Sequence, residues 1–183
     1  MIPIGILAAA GAAPAGAYEL ISTQLITTNT ASVTFSSIPA TYKHLQIRMI
    51  ARSTSAGNRQ ENCFMQFNSD TTSSNYRYHS LLADGSSVVS FTSTSLFLNE
   101  INGNADTTGS FAPKIIDILD YAVTTKNTTI RNFNGKDSAG PEKRIVLTSG
   151  LWMNTAAITS LRIFPSDTSF ITGSRFSLYG IKG

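Results

Sequence analysis

One stretch of the sequence decides the fold: KHLQIRMIARS, residues 43–53. Four apolar side chains share one face of this stretch if it is extended: Leu45, Ile47, Met49 and Ala51. The opposite face carries polar side chains: His44, Gln46, Arg48 and Arg52. Because successive side chains of a strand point to opposite faces, the alternation predicts a β-strand with one face on a core.

Short stretches of similar character recur along the chain. We predict further strands over residues 18–27, 32–35, 61–68, 88–98, 111–121, 128–134, 144–152, 157–164 and 173–181, with a short extended segment at 76–79. Polar segments separate them, and the longest loops are predicted at residues 53–60 and 99–110. A turn of helix fits only near residues 75–82 or 155–158. Roughly eight to ten strands at this spacing predict an all-β fold: one antiparallel β-sandwich over residues 18–183, of the jelly-roll type.

The strand predicted at residues 111–121 is unusual because part of it is apolar on both faces, as in Ile115-Ile116-Asp117-Ile118-Leu119. A strand of this kind is typically covered on both sides. We therefore expect a second sheet on one face of it and another subunit or a loop on the other.

The composition favours a structural protein over a nucleic-acid-binding one. Charged residues make up 14% of the 183 residues, against roughly 25% in a typical soluble domain. Ser, Thr and Asn replace them, which suits strands and turns and leaves few charges to bury at a subunit contact. The net charge is +3, but the basic residues are scattered, whereas nucleic-acid-binding proteins cluster them.

No constellation of residues predicts a metal site, a cofactor or an enzyme. Cys63 is the single cysteine, so a disulfide within the chain is impossible, and we expect a buried thiol. His44 and His79 are the only histidines and cannot form a metal site alone. The sequence also lacks a phosphate-binding loop and a nucleophile elbow.

Asp117 and Asp120, together with Glu100 or Asp106, suggest the paired carboxylates of glycoside hydrolysis. Such chemistry needs two carboxylates facing each other across a groove. Asp117 and Asp120 are three apart and fall on opposite faces of an ideal strand. We expect them instead to cap turns or to pair with Lys114 or Arg131.

Residues 1–17 read MIPIGILAAAGAAPAGA. The segment lacks the basic start of a signal peptide, since the first lysine is Lys43, and it is too short and too rich in Gly and Pro for a transmembrane helix. We interpret it as an apolar arm that packs on a partner subunit through Ile2, Ile4, Ile6 and Leu7. The alternative is a partly ordered, adhesive terminus.

Three parts of residues 18–183 resemble a family of small structural proteins of tailed bacteriophages, including phages of cyanobacteria. The first comprises YELIS at 18–22, VTFSSIP at 33–39 and YKHLQIR at 42–48. The second comprises FNSD at 67–70 and SNYRYH at 74–79. The third comprises SGLW at 149–152, ITSL at 158–161 and the ending GSRFSLYGI at 173–181.

The resemblance implies a component of the phage particle, built as a jelly roll and acting as a trimer. We expect a decoration or cement protein on the capsid exterior that binds the major capsid protein or other virion proteins, with no membrane or nucleic-acid partner. The alternative is a tail fibre, baseplate or receptor-binding module that contacts host glycan.

The segment SNYRYH is the most function-like cluster, since aromatics, Arg and His together suit a sugar or a partner loop. Its contact residues would be Tyr76, Arg77, Tyr78 and His79. The competing interpretation, which we favour, is that Tyr76 and Tyr78 anchor a long loop on the sandwich.

Overall fold

A computed structural model describes residues 16–95, 97–137, 140 and 142–183. In this part of the chain, twelve strands form two antiparallel sheets, and the only helical element is a 3-10 turn at Ser73–Asn75. The strands are β1 Tyr18–Leu25, β2 Val33–Phe35, β3 His44–Ala51, β4 Gln60–Phe67, β5 Tyr76–Ala83, β6 Val88–Ser93, β7 Phe97–Asn102, β8 Ala112–Leu119, β9 Thr128–Lys136, β10 Arg144–Trp152, β11 Leu161–Pro165 and β12 Arg175–Ile181.

Eight of the strands follow the jelly-roll order. In chain order these eight are β1, β2, β3, β4, β7, β8, β11 and β12. In one sheet the order is β1-β12-β3-β8, which are the first, eighth, third and sixth of the eight. In the other sheet the order is β2-β11-β4-β7, which are the second, seventh, fourth and fifth. This alternation between two sheets is the jelly roll, so the predicted all-β, antiparallel sandwich of that type is confirmed.

Two inserted hairpins widen one of the sheets. The β5–β6 hairpin lies between β4 and β7 along the chain, and the β9–β10 hairpin lies between β8 and β11. The larger sheet therefore has eight strands, in the order β1-β12-β3-β8-β9-β10-β5-β6, and the smaller has four, β2-β11-β4-β7. We call the four strands beyond β8 the extension.

The core lies between the sheets and is built from the apolar face of each strand. The face predicted for residues 43–53 is buried as expected, with Leu45 and Ile47 fully inaccessible. Trp152, at the end of β10, packs on Phe67 with 5.5 Å between ring centroids, and its indole N–H donates to a carboxylate oxygen of Asp70 at 2.8 Å. Trp152 is thus a core anchor. The thiol of Cys63 is buried as well, and burial raises its pKa to about 12.

The structure corrects the expected boundaries between residues 88 and 110. The single strand predicted at 88–98 is two strands, β6 and β7, joined at a bend. The loop predicted at 99–110 begins only after Asn102, the last residue of β7. Of the two helical turns expected near 75–82 and 155–158, the first is the 3-10 turn at Ser73–Asn75, which ends where β5 begins, and the second segment contains no helix.

A buried polar cluster fixes the loop that follows β7. The guanidinium of Arg52 donates to four backbone carbonyls of this loop: Asn104, Asp106, Thr107 and Ser110. The Asp106 carboxylate lies 3.2 Å from Nζ of Lys136, and both side chains are inaccessible. Burial raises the pKa of Asp106, but hydrogen bonds from the Thr107 backbone and from Lys136 outweigh it, so the pKa lies below its ordinary value. The loop is therefore held from inside.

Candidate functional site

A row of exposed apolar side chains crosses the outer face of the larger sheet, the face that points away from the smaller sheet. Leu81 of β5 lies opposite Leu147 of β10, Leu147 opposite Phe133 of β9, and Phe133 opposite Ile115 of β8. Each is exposed by about half: 48%, 53%, 50% and 45%. We call these four residues the apolar strip. It runs across four adjacent strands, from β8 into the extension.

The strip lines a depression of about 530 Å³ in the outer face. A second depression of about 760 Å³ adjoins it and is lined in part by Ile50, Pro113 and Ile145, of which Ile145 is 57% exposed. Single exposed apolar residues are normal, whereas a contiguous patch of them marks an interaction surface. The outer face is thus suited to hold an apolar partner.

A row of polar side chains runs beside the strip on the same face. The Asp117 carboxylate of β8 accepts a hydrogen bond from Gln46 of β3 at 2.8 Å. It also forms an ion pair with Arg131 of β9 at 3.0 Å. Gln46 in turn accepts from Nε of Arg48 at 2.8 Å. We call this chain of contacts the polar ladder. The Asp117–Arg131 pair is one of the two contacts predicted for this carboxylate.

Two tyrosines extend the polar ladder toward β1. The Arg48 guanidinium lies 5.1 Å from the centre of the Tyr18 ring and 4.8 Å from that of Tyr179. Both distances are within the range of a cation–π interaction. The face therefore combines an apolar row on β8 and the extension with a row of charged and aromatic groups that runs from Arg131 on β9 to Tyr18 on β1.

The SNYRYH cluster is divided between two faces, because residues 76–79 belong to strand β5 rather than to a loop. Tyr76 and Tyr78 point inward and are buried. The Tyr76 hydroxyl donates to the Asp70 carbonyl at 2.9 Å, and burial raises its pKa to about 12. Arg77 and His79 are exposed. The two tyrosines anchor the fold, as the favoured interpretation holds, and only Arg77 and His79 are exposed for the alternative contact.

The four candidate carboxylates are each engaged with a cation. Besides the Asp117–Arg131 and Asp106–Lys136 pairs, Glu100 pairs with Arg144. Asp120, just beyond β8, contacts Lys43 at 3.0 Å and Lys126. Hydrogen bonds from Lys126 and Lys43 lower the pKa of Asp120 to about 2. Lys114 pairs with neither aspartate as proposed, because it points into the core, where burial lowers its pKa to about 8.

The remaining sequence predictions concern metals, membranes and the arm. Across the described ranges, no group of three His, Cys, Asp or Glu side chains could hold a metal ion, and none of their helices is long and apolar enough to cross a membrane. The arm residues Ile2, Ile4, Ile6 and Leu7 lie outside the described residues.

Comparison of the chain with protein-family models and with curated proteins gave no match.

Proposed function

We propose that this chain is a structural subunit of a bacteriophage particle, a decoration or cement protein that binds the capsid exterior as a trimer. The observation that carries an assembly role is the apolar strip, since an exposed and contiguous apolar surface becomes stable when another chain covers it. The phage particle and the trimeric state are drawn from the resemblance of residues 18–183 to small phage structural proteins.

Two properties of the chain support this proposal. The jelly roll is a frequent building block of virus particles. Removing an ion from water costs free energy. Because only 14% of the residues are charged, few ions have to lose their water when subunits meet. A cement protein acts through many small contacts multiplied by symmetry, and multivalency then converts modest affinities into firm attachment.

The test is attachment to particles produced without this protein. We expect the purified chain to bind them at a saturating copy number and to raise the temperature at which they release DNA. Deleting residues 1–15 should reduce occupancy to less than a tenth while the sandwich stays folded, because the strand contacts begin at Ala17, whose carbonyl accepts from the Lys182 N–H.

The matched control is Ala9→Ser with Ala10→Ser, which alters the same segment without removing a large apolar side chain. This variant should bind like the unaltered chain. Unchanged occupancy after the deletion, or no binding of the unaltered chain, would count against the capsid role.

The polar ladder favours a second candidate, a tail-associated module that contacts host glycan. Tyr18, Arg48 and Tyr179 combine aromatic surface with a hydrogen-bond donor, the groups that sugars need. Arg48→Ala should then abolish adsorption to host cells or binding on a glycan array. Arg162→Ala, which removes an arginine lying over the Phe164 ring on the smaller sheet, should leave both unchanged. If Arg48→Ala and Arg162→Ala adsorb to host cells and bind the glycan array equally well, this candidate is removed.

A further inference from the structure

We propose that the apolar strip is the receptor for the N-terminal segment, residues 2–7, of a neighbouring copy of this chain. The inference rests on the assembly role proposed above and names the surface that the arm uses. It joins two features that are otherwise unexplained: an exposed apolar face on the folded domain and an apolar segment at the start of the sequence.

The two features match in length and pattern. The strip crosses four strands, so Leu81 and Ile115 are separated by about 14 Å, and six extended residues span about 20 Å. The segment reads IPIGIL. In an extended conformation Ile2, Ile4 and Ile6 share one face, so three apolar side chains could meet a strip of four.

The shape of the face favours a narrow occupant. The strip lines a depression of about 530 Å³, and a second depression of about 760 Å³ lies beside it. A flat partner surface laid across such depressions would leave them partly unfilled. A single extended segment is narrow enough to lie within one.

The direction in which the chain enters the sheet favours a neighbouring copy over the same copy. Tyr18 lies opposite Ile181, Ile181 opposite His44, and His44 opposite Leu119. The chain before Tyr18 thus leaves the sheet at the end where β8 has Leu119, whereas Ile115 lies about 13 Å further in and three strands away.

To reach its own strip, the segment would have to turn back within residues 8–17 and cross the polar ladder. A copy placed beyond that end of the sheet receives the segment without reversal. We therefore assign the strip to the arm of the neighbour.

Cysteine cross-linking between two differently tagged full-length chains tests this assignment. One chain carries Ile4→Cys and the other carries Leu147→Cys, in the middle of the strip. The native Cys63 is buried and its thiol pKa is about 12, so it does not take part in the cross-linking. We expect a mixed two-chain product on mild oxidation, at least tenfold more abundant than with the matched control Thr129→Cys.

Thr129 is exposed on the same outer face, four residues along β9 from Phe133. Equal yields with Leu147→Cys and Thr129→Cys would overturn the proposal. A chain carrying both Ile4→Cys and Leu147→Cys would also overturn it if oxidation gave only a disulfide within that chain and no two-chain product. Circular dichroism verifies that each variant is folded.

The result is separable from the proposed function. A specific cross-link without attachment to particles would support the arm–strip contact and remove the capsid role. Attachment to particles with no specific cross-link would support the capsid role and overturn the arm–strip contact.

Discussion

Replacing Arg52 by alanine should lower the free energy of unfolding by about 4 kcal/mol or more. The guanidinium is buried, with 4% of the residue accessible, and it donates to four carbonyls of the loop after β7. The bond to the Asp106 carbonyl is buried and the other three are partly buried, and a hydrogen bond to a charged group contributes about 1.5–3 kcal/mol. Arg52→Lys should recover little of the lost stability, because the lysine ammonium cannot reproduce the planar fork of guanidinium donors.

Urea unfolding followed by the fluorescence of Trp152 measures this effect, since Trp152 is the only tryptophan and is buried. Arg59→Ala serves as the control, because Arg59 is exposed near the same loop, and it should change stability by less than about 0.5 kcal/mol. An Arg52→Ala midpoint equal to that of Arg59→Ala would mean that the loop does not depend on Arg52.

The second large effect is expected on assembly. Phe133→Ser combined with Leu147→Ser should weaken self-association of the full chain by at least tenfold, with the fold intact. Full burial of an apolar side chain of this size contributes about 1.5–3 kcal/mol, and about half of each side chain is already covered in the single chain. The contact therefore gains about 1.5–3 kcal/mol from the pair, and about 1.4 kcal/mol corresponds to a factor of ten. Because both side chains are half-exposed in the single chain, their removal should cost the isolated fold much less.

Sedimentation equilibrium over a range of concentrations measures that association. Thr129→Ala, on the same face of β9 but outside the strip, should associate like the unaltered chain. If the double serine variant also associates normally, the strip is not part of the contact between chains.

The sequence was most informative where period-two alternation was clear. Residues 43–53 could be assigned to a strand because Leu45, Ile47, Met49 and Ala51 fall at every second position, and the structure buries that face. The bend that separates β6 from β7 was missed, since residues 88–98 are rich in Ser, Thr and apolar residues with no Gly or Pro to mark a break. Sheet topology depends on long-range pairing, and the two hairpin insertions could not be located from local pattern.

Arg52 illustrates a limit of the alternation rule. The period-two alternation of residues 43–53 placed Arg52 on the polar face. However, β3 ends at Ala51, and beyond the strand the alternation no longer fixes where a side chain points. Its role depends on the carbonyls of a loop about fifty residues later, to which no local signal points.

The outer face was partly predictable. The prediction that residues 111–121 would be covered on both sides identified Ile115 and its neighbours as a surface in need of a partner. The rest of the strip carries the same signal, because adjacent apolar residues such as Leu81-Leu82 and Val146-Leu147 put one side chain on each face. Their alignment into one row followed only from the strand register.

The most direct test of the proposed phage role is a particle reconstruction at a resolution that places this chain. We predict a jelly roll on the capsid exterior, with another chain covering Leu81, Phe133, Ile115 and Leu147. A particle in which that face of the larger sheet is open to solvent would contradict the assembly role assigned to it.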